Sequence, residues 1–390
     1  MSSAATGHVH PWDSAVFDLA AQSIGVIDHV EERTVSLPFV KPFSISSATW
    51  TCKEALLLRI DGEGASGWGE CVADPDPFYA SETTSTAHHI IRDFLLPQVA
   101  SGMTLGEVCE RFRHIRGHQM AKATIENALI DLIARRKNVP LHELLGFPRR
   151  PIPSGISIGL QETAAALLAE VEQAVGEGYH RIKMKIARGR DVEMVRAVRE
   201  RFPDIALMVD ANGDYAPDDA AHLRQLDAFG LTMIEQPLSY SDIYEHSLLQ
   251  RELATPLCLD ESIHNLADAR AAIALGSCRI LNIKQGRVGG LMEASRIAAY
   301  AEAHGVPVWC GGMDETGIGR AVNIHLQTAP AFRIPGDTSE TRRYFHEDLA
   351  EPPIVLDAQG FIAVPEGAGF GVTIRQDILT KVTLHTERLR

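Results

Sequence analysis

Five charged residues stand at a single interval in the middle of this chain: Lys185, Asp210, Glu235, Asp260 and Lys284, separated by 25, 25, 25 and 24 residues. An interval of that size accommodates one strand, one helix and two short loops. Each of the five would then close a successive strand of a repeating βα unit, and their side chains would share one rim. A chain with this repeat builds parallel strands covered by helices.

The surrounding text agrees with that phase. Apolar runs predict strands over Ile152 to Ile158, Arg181 to Ile186, Ala206 to Asp210, Thr232 to Glu235, Leu257 to Leu259, Arg279 to Lys284 and Val306 to Cys310. Amphipathic patterns predict helices over Ala164 to Glu177, Val192 to Phe202, Pro217 to Phe229, Ala267 to Leu275 and Gly290 to His304. An eighth strand is expected near Ala331 to Pro335. Regular alternation over this many units favours a closed (β/α)7β barrel of the TIM type over an open doubly wound sheet. No Gly-rich dinucleotide fingerprint follows any strand, which disfavours a nicotinamide enzyme.

A barrel of ~250 residues leaves part of a 390-residue chain over. Residues 25–150 read as an α+β capping domain. Strands are expected around Val30 to Leu37, Glu54 to Ile60 and Gly67 to Val72, followed by helices over Thr83 to Leu96 and Ala121 to Arg136. Residues 151–350 form the barrel, and 351–390 return to the cap. Residues 1–24 are read as an extension with no chemistry, apart from an amphipathic turn at Val16 to Ala21.

Composition narrows the function. With 51 acidic residues against 37 Lys and Arg, the formal net charge of −14 argues against nucleic-acid or membrane partners. No run approaches the ~18 apolar residues of a membrane span. The six cysteines show no paired spacing and read as core thiols, so a cytoplasmic protein is expected.

Counting Ile152 to Ile158 as the first strand, Lys185 ends the second and Lys284 the sixth, so the lysines face each other across an eight-membered ring. Asp210, Glu235 and Asp260 lie on the arc between them. Three carboxylates from neighbouring strands form the ligand set of a hard divalent cation, Mg2+ in the simplest case with Mn2+ as the alternative. Zinc would call for imidazole or thiolate. A metal bound to a carboxylate substrate acidifies its α-proton by stabilising the enediolate. Lys185 and Lys284 would be the bases, driven toward the neutral form by burial and neighbouring cations. Bases on opposite faces allow racemisation, and one base suffices for an elimination. Any single one of these residues is more often a cap or an ion pair; five in phase are hard to assign to chance.

Arg181-Ile-Lys183-Met-Lys185, Val209-Asp210-Ala-Asn212, Ile234-Glu235-Gln236-Pro237 and Leu259-Asp260-Glu261-Ser262 resemble the enolase superfamily, muconate-lactonizing subgroup. Lysine or histidine bases beside Mg2+ are the general pattern of that superfamily. Asn282-Ile-Lys284-Gln-Gly-Arg287, Pro307-Val-Trp309-Cys-Gly-Gly312-Met313, Glu315-Thr-Gly-Ile-Gly319-Arg320 and Pro335-Gly-Asp337-Thr-Ser339 are similar to the o-succinylbenzoate synthase and N-acylamino acid racemase family.

That resemblance implies catalytic roles for Lys185 and Lys284 and metal binding by Asp210, Glu235 and Asp260. It places Lys183, Asn212, Ser157, Tyr79, Met313, Asp314 and Arg287 around a small carboxylate substrate, with Arg287 tuning Lys284. Loops Phe39 to Trp50 and Ala73 to Ser81, with Phe78 and Tyr79, are expected to close the site, and a homo-oligomer, dimer or octamer, is implied. The implied reactions are syn-dehydration to o-succinylbenzoate in menaquinone biosynthesis and racemisation of N-acylamino acids. Muconate cycloisomerase and dipeptide epimerase are the alternatives within the superfamily, and a catalytically silent metal-binding barrel is the alternative outside it. The sequence departs from the family at Gly213-Asp214 before Tyr215 and at Asp314, where relatives carry an apolar residue.

Overall fold

A computed structural model of the chain describes residues 16, 18–46 and 48–390. Most of the N-terminal extension therefore lies outside the described residues. Two sheets organise the rest. A four-stranded antiparallel sheet runs in the order Thr383–Arg388, His29–Ser44, Thr49–Gly62, Ala65–Cys71. The strand that follows the barrel thus pairs with the first strand of the cap, Glu31 opposite Arg388.

Helix Gln119–Lys137 is buried along most of its length, because it lies between this sheet and the barrel. Its close approach to the sheet depends on glycine. A Cβ on Gly67 would sit 2.1 Å from the Ala128 carbonyl oxygen, and one on Gly69 would sit 2.0 Å from that of Thr124. On its other side, Glu126 accepts from the Met292 N–H at 2.8 Å and Asn127 donates to Gln285 at 2.9 Å. Glu70 makes a second anchor: its carboxylate accepts from the Thr316 and Gly319 N–H groups at the start of helix Gly317–Gln327, both at 2.9 Å.

The seven-stranded sheet is parallel and runs in sequence order through Gly155–Ile158, Arg181–Lys185, Leu207–Asp210, Ile234–Glu235, Leu257–Leu259, Ile280–Ile283 and Val308–Cys310. The eighth position is filled without a regular strand. Parallel bridges Val308 to Phe332 and Ser154 to Gly336 join it to both neighbours, and Gly155 N–H donates to the Gly336 carbonyl at 2.7 Å. Pro330 and Pro335 lack the N–H groups a full ladder needs. Inside the cylinder, Met208, Met233, Cys258, Ile280 and Trp309 form one apolar layer below the rim.

Several expected elements are divided. Ile152–Pro153 pairs antiparallel with Phe361–Ile362, so only Gly155–Ile158 joins the barrel. The segment from Pro217 to Phe229 is a short α-helix, Ala220–Leu223, between two 3-10 turns. There Asp227 is drawn outward to accept from the Ala254 and Thr255 N–H groups at 3.0 and 2.8 Å. The helix beginning at Thr84 is α-helical only to Ile90, widens to a π-helical turn over Ile91–Leu95 and ends in a 3-10 turn at Leu96–Gln98, where Pro97 lacks the N–H to continue it. Helices Leu105–Phe112, Tyr244–Glu252 and Gly317–Gln327 are additional. Among the described residues no helix is long and apolar enough to cross a membrane.

Candidate active site

Register places the charged groups. Lys185 pairs with Asp210 and Asp210 with Glu235, so these three are level on adjacent strands. Glu235 is level with Cys258, which sets Asp260 one pleat further toward the rim. Asn212, Gln236 and Asp314 adopt positive φ of 44, 37 and 54°, so the chain turns sharply as it leaves three of these strands.

The carboxylates are fully buried and share a small set of cations. Lys183 Nζ lies 2.7 Å from Asp337, 3.1 Å from Glu235 and 3.2 Å from Asp210. Lys185 Nζ reaches Asp210 at 2.7 Å and donates to Asn212 Oδ1 at 2.6 Å. Lys284 Nζ is 3.0 Å from Asp260, and the Arg287 guanidinium binds the other oxygen of the same carboxylate. Tyr79, from the cap, receives a hydrogen bond from Lys284 at 2.8 Å and donates to Asp260 at 3.3 Å. Asn282 donates to Glu235 at 2.7 Å, and Gln236 Oε1 accepts from the Asp260 N–H at 3.0 Å.

Charge is distributed unevenly over this ring. Burial pushes Glu235 up to about 8, and the neighbouring Asp210 adds to the rise. Asp260 goes the other way: burial is outweighed by Arg287 and Lys284, which hold it at about 2. Asp210 is held low against burial by Lys185 and Lys183. Glu261 is pushed up to about 7 by burial and then by Asp260 and Asp210. Burial draws Lys284 down, as expected of a base, but Asp260 and Tyr79 outweigh it and hold the lysine as an ammonium. In the arrangement seen here an opposite charge in contact wins over desolvation.

Among the described residues no three acidic, imidazole or thiol groups already converge as an ion-binding cage. Lysine and arginine side chains contact the carboxylates instead. The donor chemistry nonetheless fits a hard divalent cation. It is all oxygen, and it comes from three adjacent strand ends.

Above the carboxylates lies a narrow, open cleft. Lys183, Lys185, Lys284, Asn212, Ser157, Met313, Asp314 and Tyr79 all line it. Arg287 is not among the lining residues; it lies behind Asp260, fixed by the Ile263 and Asn282 carbonyls at 3.1 and 2.9 Å. The Ser157 hydroxyl, Glu261 Oε2 and Asn282 Oδ1 are buried polar atoms without a hydrogen-bond partner. From the cap, Phe39, Phe43, Ile45, Trp50, Lys53 and Asp74 complete the walls, and the Trp50 indole N–H latches the two loops together by donating to Asp76 at 3.0 Å. Phe78 points outward and is 60% exposed.

Sequence reasoning assigned no role to Gln236, Glu261 and Asn282, although each adjoins a residue it singled out. Asp74 falls in the Ala73 to Ser81 loop expected to close the site, though it was not itself singled out; Lys53 carried no signal in the sequence, because its place in the site depends on how the cap sits on the barrel.

Residues 29–146 match the mandelate racemase/muconate lactonizing enzyme N-terminal domain, and residues 166–378 match the enolase C-terminal domain-like family. The chain is 47% identical to o-succinylbenzoate synthase of Geobacillus kaustophilus over 89% of its length and 93% of the relative. It is 45% identical to N-succinylamino acid racemase of an Amycolatopsis species, over 91% of this chain and 96% of that one. A solved structure of an enolase-superfamily member from Listeria innocua superposes with a TM-score of 0.90 at 40% identity, covering 94% of this chain and 100% of the other. The chain belongs to the enolase superfamily, in the mandelate racemase/muconate lactonizing enzyme group.

Proposed function

We propose that the protein removes the α-proton of a small carboxylate substrate, giving o-succinylbenzoate by dehydration or racemising N-acylamino acids. Relatives at 42 to 47% identity carry the names o-succinylbenzoate synthase and N-succinylamino acid racemase. The observation that carries the reading is the position of Lys185 and Lys284. They line one cleft from the second and sixth barrel strands, with three buried carboxylates on the strands between.

Enzymes of the superfamily use a divalent metal. Here Asp210, Glu235 and Asp260 would hold it as Mg2+, where it would supply charge to stabilise the enediolate. The remaining work belongs to this chain's own side chains. Lys185 Nζ takes the α-proton from one face, and Lys284 Nζ returns one to the other in racemisation. In dehydration the C–H and C–O bonds break on one face, so a single lysine accepts the proton and delivers it to the departing hydroxyl. The opposite ammonium then balances the developing negative charge. Lys183, tied to Asp337, keeps a fixed positive charge beneath Asp210 and Glu235, and Asn212 orients Lys185. The unpartnered Ser157 hydroxyl supports a role in hydrogen bonding to substrate, and Met313 packs on its acyl portion.

The state of Asp337 weighs against a dipeptide epimerase. Its carboxylate is bound by both Arg181 and Lys183, which leaves it poorly placed to receive a free substrate ammonium. The test is incubation with Mg2+ and N-acylamino acids in deuterated water, with the dehydration precursor of o-succinylbenzoate in parallel. Deuterium at the α-carbon or formation of the aromatic product is expected. Neither signal at any substrate would leave a silent barrel.

A further inference from the structure

Besides the barrel lysines, the cleft is lined by a second charged group. Lys53 is 2% exposed on the second cap strand, and its ammonium donates to Asp74 at 3.1 Å and to the Val72 carbonyl at 3.2 Å. That lysine is therefore already neutralised. Asp314 lines the same cleft beside Met313 and makes no hydrogen bond or ion pair among the described residues. Its backbone is left-handed, φ 54°, a conformation that Asp and Asn tolerate better than other side chains. Lys53, Asp74 and Asp314 line the cleft together with Phe39, Trp50 and Tyr344.

We infer that Asp314 selects the distal end of the substrate's acyl group, favouring one that ends in a cation or hydrogen-bond donor over one that ends in a second carboxylate. The inference rests on the α-proton reading above and, of its two reactions, on racemisation, because the dehydration precursor of o-succinylbenzoate itself ends in a distal carboxylate. A carboxylate that no side chain of the described residues hydrogen-bonds, facing a partly desolvated cleft, gains from a donor on the ligand. A distal carboxylate there would meet a like charge instead. Burial pushes Asp314 up to about 6, with Lys53 opposing the rise, so the group is ionised at neutral pH.

The decisive pair of substrates differs in one group only. N-succinylmethionine and N-(β-alanyl)methionine have the same length and end in a carboxylate or an ammonium; N-acetylmethionine lacks the distal group. The readout is kcat/KM for α-deuterium exchange at neutral pH. The wild-type enzyme is expected to prefer the β-alanyl compound. Asp314→Asn, which keeps the left-handed turn, and Asp314→Leu are each expected to shift the ratio about tenfold toward the succinyl compound. A wild-type preference for N-succinylmethionine, or the same ratio in both variants, overturns the inference while leaving the α-proton chemistry intact. Absence of exchange with all three compounds removes the parent reading, and this inference with it.

Discussion

The Tyr79 hydroxyl lies 2.8 Å from Lys284 Nζ, joining a cap loop to a barrel lysine across 205 residues of sequence. The phenol also touches Arg287 and Asp260, so it fixes where the lysine points. Tyr79→Phe keeps the ring and removes the hydrogen bond. Loss of one bond to a charged group corresponds to a fall of about 10- to 100-fold in kcat. Thermal unfolding should be almost unchanged, and an unaltered kcat would show that Lys284 is positioned without help from the cap.

Lys185→Ala and Lys284→Ala separate the two chemistries. Each is expected to lower racemisation by about 100-fold or more, the scale of general-base catalysis. Lys185→Ala should also abolish dehydration. Chiral chromatography of the racemisation product checks the pair, and a full racemase rate in Lys284→Ala would exclude the two-base scheme.

Asp210→Asn and Asp260→Asn test the carboxylates as ligands. Each should weaken Mg2+ affinity by at least ~10-fold, because even supporting partners of a metal site carry effects of that size. Titration calorimetry with Mg2+ reads the change directly. Chelation should silence the wild-type enzyme, and added Mg2+ should restore it.

Asp337→Asn strips a buried countercharge from both Arg181, 1% exposed, and Lys183, 3% exposed. Removing one partner from a buried pair costs about 3–5 kcal/mol. Urea unfolding should show a loss of that order, and a midpoint equal to wild type would mean the cylinder interior is hydrated enough to solvate both cations.

Glu126 gives a pH signature away from the site. Burial pushes its carboxyl up to about 7 from the ordinary value of 4.5. The folded state therefore binds more protons than the unfolded chain between these values, and this group's contribution to stability declines as pH rises from 4.5 to 7. Above that window the loss is complete, roughly 3 kcal/mol by the size of the shift. Glu126→Gln retains the acceptor for Met292 N–H, so its melting temperature should exceed wild type at pH 8 and match it near pH 4.5. Parallel pH profiles for the two proteins would refute the assignment.

The repeat of charged residues revealed the barrel because strand phase is a local property. A residue at each strand end is enough to report the period, and Lys185, Asp210 and Glu235 do stand level. Helix Leu105–Phe112 had a local signal as well. Thr104 and Glu107 form a reciprocal cap, with the Thr104 N–H donating to Glu107 at 2.7 Å, in the T-x-x-E pattern that marks a helix start. The irregular eighth stave was placed only approximately, since proline and glycine suppress the alternation by which strands are recognised. Lys53 could not be found by any pattern, whereas Asp74 falls in a loop expected to close the site. The barrel residues they meet in the cleft are set by the Glu70, Glu126 and Asn127 contacts between cap and cylinder.

The pairing of Thr383–Arg388 with His29–Ser44 has a bearing on biosynthesis. A ribosome must deliver residue 388 before the cap's edge strand exists, long after Lys185 and Lys284 have emerged. The sheet of the cap thus gains its edge strand only after the barrel has emerged, although the cap residues that line the cleft, from Phe39 to Tyr79, leave the ribosome before either lysine.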